Sequence, residues 1–327
     1  MFQGAMVAIV TPFKDGQVDE AALRLMIEFQ IANGTHGIVP CGTTGESATL
    51  TYAEHERVIE ITVEQVNKRI PVIAGTGSNN TEEAVRLTKH AKSAGADGAL
   101  LITPYYNKPT QEGLRRHFEK VAGAVDIPLL LYNIPGRTAV NMEASTIAAL
   151  SKIPNIVGVK EAAGSMKQIM DVIALCGEDF DVISGEDFLT FPLLCVGGKG
   201  VISVTSNVIP RDMADMCNRF FEGKFAEAQK LHYKVLPLCH ALFYETNPAP
   251  VKAALAGIDI PGTAVNVDTP EGMAEAERLD IVSAPTVIFF DSTGRERGRA
   301  YSADSLRALI SKTPAAREQA VPAGVQG

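Results

Sequence analysis

The chain has 327 residues, of which 46% are hydrophobic, and a formal net charge of −8. That acidic balance, with no block of Lys or Arg, disfavours a nucleic-acid partner. No run approaches the ~20 apolar residues of a membrane span, and residues 1–6 lack the basic-then-apolar pattern of a secretory leader, so a cytoplasmic protein with no membrane partner is expected.

Strand-like and helix-like stretches alternate from the start. Residues 6–10 read as a first strand, and 19–33 as a helix by the period of Leu23, Met26, Ile27 and Ala32, closed by Gly34. Residues 37–40 and 71–74 read as strands, with a helix between them over 51–67. A third helix over 81–93 is entered through a Thr81-Glu82-Glu83 capping signal. Strands over 98–102, 128–132, 157–160, 181–184 and 200–203 complete a set of eight. Continuous apolar strands alternating with helices imply a parallel sheet covered by helices. Eight such units within about 210 residues predict a (β/α)8 TIM barrel, followed by C-terminal helices; an open doubly wound sheet shares the same period.

In a barrel the chemistry sits at the C-terminal ends of the strands. Polar residues gather there in this chain: Gly42-Thr43-Thr44-Gly45-Glu46-Ser47 after the second strand, Thr103-Pro104-Tyr105-Tyr106-Asn107 after the fourth, and Tyr132-Asn133-Ile134-Pro135-Gly136-Arg137-Thr138 at the fifth. The sixth, Ile156-Val157-Gly158-Val159-Lys160-Glu161-Ala162, is apolar and β-branched and delivers Lys160 at its end. Burying an ammonium is costly, and a neutral amine condenses with ketones to a Schiff base. An isolated lysine at a strand end more often snorkels to solvent; the company of Lys160 reverses that expectation. Tyr132 could shuttle protons beside it, with Thr43 and Tyr106 extending the relay. The Gly42–Gly45 turn offers backbone N–H groups and two hydroxyls to a carboxylate. Arg137 could hold a second carboxylate in its guanidinium fork. Glu161 follows Lys160 and should face the opposite side of the strand, in a structural role. Gly75-Thr76-Gly77 and Gly197-Gly198-Lys199-Gly200 fail the spacing of phosphate loops and read as turns. The five cysteines include no C-x-x-C pair and the six histidines no H-x-x-x-H pair. Disulfides and a metal are therefore not expected, and most of the cysteines read as small buried hydrophobes.

These motifs, together with Met6-Val7-Ala8-Ile9-Val10-Thr11-Pro12-Phe13, resemble in order and spacing the dihydrodipicolinate synthase family of class I pyruvate-dependent aldolases, from residue 1 to about 256. The resemblance implies condensation of pyruvate with L-aspartate 4-semialdehyde, in lysine and diaminopimelate biosynthesis, by a covalent imine on Lys160 and without a cofactor. It also implies Tyr132 as proton donor and acceptor, and Thr43 and Tyr106 as the rest of the relay, with Tyr106 reaching a partner's site in a homodimer or homotetramer. Thr44, Ile202 and Gly185 match substrate-binding positions, and Arg137 the residue that holds the semialdehyde carboxylate. Ser47, Ala48, His55, Asn79, Glu83 and Tyr105 match a cleft for feedback inhibition by L-lysine. The same fold family includes N-acetylneuraminate lyase and keto-deoxy sugar acid aldolases, which share the lysine and tyrosine; Arg137 favours the synthase. A non-catalytic barrel used as a binding protein is the reading from another class, and the six site groups together argue against it.

From about Gly257 the sequence departs from the family. The expected organisation is a catalytic barrel over 1–225, helices over 226–256, a segment like the back half of a thioredoxin fold over 257–312, and a disordered tail over 313–327. In that segment a strand is expected over 265–268, a helix over 271–279, a strand over 284–291, a hairpin turn at Ser292-Thr293-Gly294 and a helix over 304–310.

Overall fold

The computed structural model describes residues 1–256, 287–290 and 296–300. Two compact units divide the chain, Met1–Leu242 and Phe243–Gly327.

The first unit is the expected barrel. Its strands are β1 (Gly4–Ala8), β2 (Gly37–Val39), β3 (Ile73–Gly75), β4 (Gly98–Ile102), β5 (Leu129–Asn133), β6 (Ile156–Glu161), β7 (Asp181–Ser184) and β8 (Gly200–Ser203). All pair in parallel, in the order β2-β1-β8-β7-β6-β5-β4-β3. A parallel bridge between Ile38 and Val72 joins the two ends and closes the ring. The helices between strands are α1 (Glu20–Ala32), α2 (Tyr52–Val66), α3 (Thr81–Ala94), α4 (Gln111–Ala124), α5 (Ala144–Leu150), α6 (Met166–Cys176) and α7 (Thr190–Cys195), with α8 (Pro210–Phe221) and α9 (Phe225–Ala241) after β8.

Side-chain alternation along each strand separates two cores. Met6, Ala8, Val39, Ile73, Leu100, Leu130, Tyr132, Ile183 and Ile202 fill the lumen. Their neighbours Leu101, Leu129, Leu131, Val159 and Val182 turn outward and pack under the helices with Leu114, Phe118, Ile147 and Ile169. On β6 this parity points Gly158 and Lys160 inward, and Val159 and Glu161 outward.

Helix starts follow local chemistry. Thr51 and Glu54 form a reciprocal capping box at α2, and Thr110 and Ser165 cap α4 and α6. At α3 the cap is Asn80, one residue before the Thr81 signal: its side chain accepts from the Glu82 and Glu83 N–H groups. Asparagine is at least as good a cap as threonine, and this choice leaves Thr81 free to meet His117. Cys41, Cys217 and Cys239 are buried as expected, and burial pushes the Cys217 and Cys239 thiols up to about 12. Cys176 is half-buried and Cys195, the last residue of α7, is exposed.

Helix α9 lies in the first unit and packs on α8 through Val235, Cys239, Met213, Met216 and Cys217. The second unit holds α10 (Ala249–Leu255) and the antiparallel strands β9 (Val287–Phe290) and β10 (Glu296–Ala300). The turn expected at 292–294, the strand at 265–268, the helices at 271–279 and 304–310 and the tail at 313–327 lie outside the described residues. Among the described residues no helix is long and apolar enough to cross a membrane.

His117 supplies a pH test of this packing. Its ring is buried in α4, meets Thr81 Oγ1 at 2.9 Å through Nδ1, and is pushed down to about 4 by burial. A depressed folded value means that the unfolded chain binds the proton more readily. The contribution is present above about 6.5, the free histidine value, and is lost as pH falls toward 4. Urea unfolding of the wild type and His117→Gln between pH 7 and 4 should show a smaller loss of stability in the variant.

Candidate active site

Strand β5 ends beside β6 with Tyr132 directly opposite Lys160 and Asn133 opposite Glu161. Lys160 is only 5% exposed, and its Nζ lies 4.3 Å from the centroid of the Tyr132 ring. A cation over an aromatic face is stabilised by the ring quadrupole. The lysine has room because residue 185 is glycine. A Cβ there would stand 3.1 Å from Lys160 Cε and 2.6 Å from Ala162 Cβ. Ile202 is fully buried in the same lumen layer, on β8.

The other candidates ring the same mouth of the barrel. Thr43 and Thr44 lie on the loop after β2, Thr44 buried and Thr43 half-buried. Thr11 Oγ1 donates to Gly45 O at 2.7 Å, and Ser47 N–H to Gly42 O at 3.3 Å, so the loop is tied to the end of β1 and folded on itself. Cys41 and Glu46 take left-handed φ values of 54° and 58° on either side of it. Arg137 stands exposed on the one-turn helix Pro135–Thr138 that follows β5. Tyr106 does not join the inner group within the single chain: it is 90% exposed, at φ 70°, on the loop after β4.

The residues matched to an inhibitor cleft fall in a different place, around the start of α3. Glu83 accepts from Tyr52 Oη at 2.6 Å and from Ser78 Oγ, and these hydrogen bonds, Ser78 first, hold its carboxyl below the usual range. Arg86 lies over the Tyr52 ring with its guanidinium carbon 4.0 Å from the centroid. His55 is buried, its pKa lowered chiefly by burial, and its Nδ1 has no hydrogen-bond partner. Tyr105 is half-buried, and burial followed by the charge of Glu83 raises its phenol. The Asn79 carbonyl accepts from Asn107 Nδ2 at 3.2 Å, and Ser47 and Ala48 form the 3-10 turn Ser47–Thr49 that leads into α2.

Two buried acids support the site from outside it. Asp187 is 1% exposed; its Oδ2 accepts the Val204 and Thr205 N–H groups at 3.0 Å each, fixing the backbone after β8. Burial raises its pKa against those hydrogen bonds. Glu161 faces away from Lys160, as the strand parity requires. Burial raises its pKa too, opposed by hydrogen bonds from Asn133, Gln168 and the backbone that follows. A Gly-acid-acid run after β7 was the only sequence signal for Asp187. Asn133 and Gln168 gave none.

The family model of the dihydrodipicolinate synthetase family matches residues 1–283. The chain belongs to the dihydrodipicolinate synthetase family. The match runs past residue 256, where the sequence motifs end. A 4-hydroxy-tetrahydrodipicolinate synthase of Syntrophobacter fumaroxidans is 79% identical over 256 residues, covering 78% of this chain and 88% of the relative. Among solved structures, a chloride-inhibited dihydrodipicolinate synthase from Acinetobacter baumannii, complexed with pyruvate, matches at TM-score 0.77 and 44% identity, over 85% of this chain and 97% of that one. A family member from Cyanidioschyzon merolae with lysine bound matches at TM-score 0.76 and 40% identity, over 85% of this chain and 97% of that one. Family members carry pyruvate as a Schiff base on a lysine and need no external cofactor.

The space beside the lysine is open to a direct test. Gly185→Ala adds a methyl where none fits, at a cost of about 1–3 kcal/mol. The variant should melt several degrees lower and trap pyruvate under borohydride more slowly than wild type, as read by intact mass against time.

Proposed function

We propose that Lys160 is the amine on which the reaction runs and that Tyr132 moves its protons. The chain is an enzyme that condenses pyruvate with L-aspartate 4-semialdehyde to give 4-hydroxy-tetrahydrodipicolinate, in lysine and diaminopimelate biosynthesis. The observation that carries the residue assignment is the buried Lys160 Nζ, 4.3 Å from the Tyr132 ring centroid at the C-terminal mouth of the barrel.

The chemistry then follows. Lys160 adds to the ketone of pyruvate to form a carbinolamine. Tyr132 delivers a proton to its hydroxyl, which leaves as water and gives the iminium. The iminium acts as an electron sink and acidifies the pyruvyl methyl. Loss of a methyl proton gives an enamine, whose terminal carbon attacks the aldehyde of the semialdehyde and forms the new C–C bond. The substrate's own amine then attacks the imine carbon, the ring closes, and Lys160 leaves as the free amine. Thr43 and Tyr106 relay protons between Tyr132 and solvent. The Thr44 turn holds the pyruvate carboxylate, Ile202 lines the pyruvate site, Gly185 leaves space for the adduct, and Arg137 holds the semialdehyde carboxylate at the mouth. The high exposure of Tyr106 in one chain supports its role in a partner's site, within a homodimer or homotetramer. Replacing Tyr132 by Phe should lower kcat about 10²- to 10⁴-fold, the usual worth of a positioned acid–base group, with the fold retained by circular dichroism. An unchanged kcat would remove Tyr132 from the mechanism. If Tyr106 serves the partner, mixing refolded Lys160→Ala and Tyr106→Phe chains should recover activity that neither variant has alone.

L-Lysine is the proposed feedback inhibitor, bound where Ser47, Ala48, His55, Asn79, Glu83 and Tyr105 gather. The support is chemical: the Glu83 carboxylate, kept ionised by its hydroxyl partners, is the counter-charge an ammonium needs. Glu83→Gln should weaken lysine inhibition at least about tenfold, the scale of losing one charge-assisted contact. Activity without lysine should be little changed in the same assay.

A further inference from the structure

One layer outside the catalytic pair lies a buried polar cluster that the mechanism does not use. Asn133 is fully buried at the end of β5. Its Oδ1 accepts the Met142 N–H at 2.9 Å. Its Nδ2 donates to Asn141 Oδ1 at 2.8 Å and to both Glu161 carboxylate oxygens at 3.1 Å. The orientation of the amide is fixed by chemistry: the Met142 N–H needs the carbonyl side, which leaves the amino side to face Glu161. The segment between Asn133 and Met142 is the loop that carries Arg137. Its two ends are therefore stapled together at the neck by one side chain.

The staple is itself held from behind. Gln168 on α6 donates to Glu161 Oε2 at 3.1 Å, and its Oε1 accepts from Asn141 Nδ2 at 2.8 Å. The Glu161 Oε1 also takes the Ala163 N–H at 2.8 Å, and the Ala162 N–H bonds to the Asn133 carbonyl at 2.8 Å. The stretch just past Lys160 and the neck of the Arg137 loop thus share one set of hydrogen bonds. A satisfied buried network of this kind fixes a single geometry, whereas loss of one member leaves buried groups unpaired.

We propose that Asn133 is the positioning residue for Arg137: oriented by Glu161 and Gln168, it clamps the loop neck so that the guanidinium stands where the semialdehyde carboxylate arrives. This inference rests on the role of Arg137 given above. Arg137 acts only on the second substrate, so the staple governs binding of the semialdehyde and leaves the pyruvate half-reaction alone.

The test measures KM for each substrate, kcat, and the rate of borohydride-trapped pyruvate adduct in Asn133→Ala, Gln168→Leu and Arg137→Ala. Asn133→Ala should raise KM for the semialdehyde about 10- to 100-fold, the cost of a misplaced positioning group. KM for pyruvate and the rate of adduct formation should stay within about twofold. Gln168→Leu should move the same KM in the same direction by less, and it carries the test if Asn133→Ala does not fold. A parallel change in both substrates, or no change in either, in a folded variant overturns the proposal. An unchanged semialdehyde KM in Arg137→Ala overturns the role of Arg137 itself, and is distinguished by that variant alone.

Discussion

Placing an amine inside an apolar barrel is the constraint on which the rest of the structure depends. A buried ammonium loses its hydration, and only specific neighbours offset that loss. Here the parity of β6 turns Lys160 into the lumen, Gly185 gives up a side chain to make room, and the Tyr132 ring supplies an electron-rich face 4.3 Å from Nζ. The two residues meet because β5 and β6 are adjacent parallel strands in a register that sets residue 132 opposite residue 160. A slip of one position would send Lys160 outward and bring Glu161 into the lumen.

Alternation does more than place the amine. Each residue that does chemistry has a sequence neighbour pointing the other way, and the neighbours form a second, supporting layer. Tyr132 is followed by Asn133 and Lys160 by Glu161. Inside the barrel stands the pair proposed to make and break bonds; outside it the polar pair ties the strand ends to α6 and to the Arg137 loop. Asp187 plays a similar part at β8, where its carboxylate holds the backbone just past Ile202. This outer layer holds the neck of the Arg137 loop and the backbone just past β8.

Much of this was legible in the sequence because barrel units repeat a local pattern. Six of the eight strands were expected within a residue at each end, three of them with the bounds found (98–102, 181–184 and 200–203), because apolar β-branched runs bounded by Gly and Pro have no other comfortable place. Lys160, Tyr132, Thr44 and Arg137 could be placed at one mouth from strand ends alone. The cap of α3 was misplaced by one residue because Asn80 and Thr81 compete as caps, and only the path of the backbone decides between them. The Asn133–Glu161–Gln168 cluster could not be read at all. Its members lie up to 35 residues apart, each looks like an ordinary polar residue, and the bonds exist only once β5, β6 and α6 are packed. The reach of Tyr106 into a partner's site came from the family motifs alone, since one chain leaves it in solvent.

The most direct measurement is peptide-mapped mass spectrometry of the protein after pyruvate and borohydride, with Lys160→Ala treated alongside. The account predicts one reduced pyruvyl group per chain, on the peptide that contains Lys160, and none on the variant. An adduct on a different lysine, or none on a protein that is folded, would contradict it.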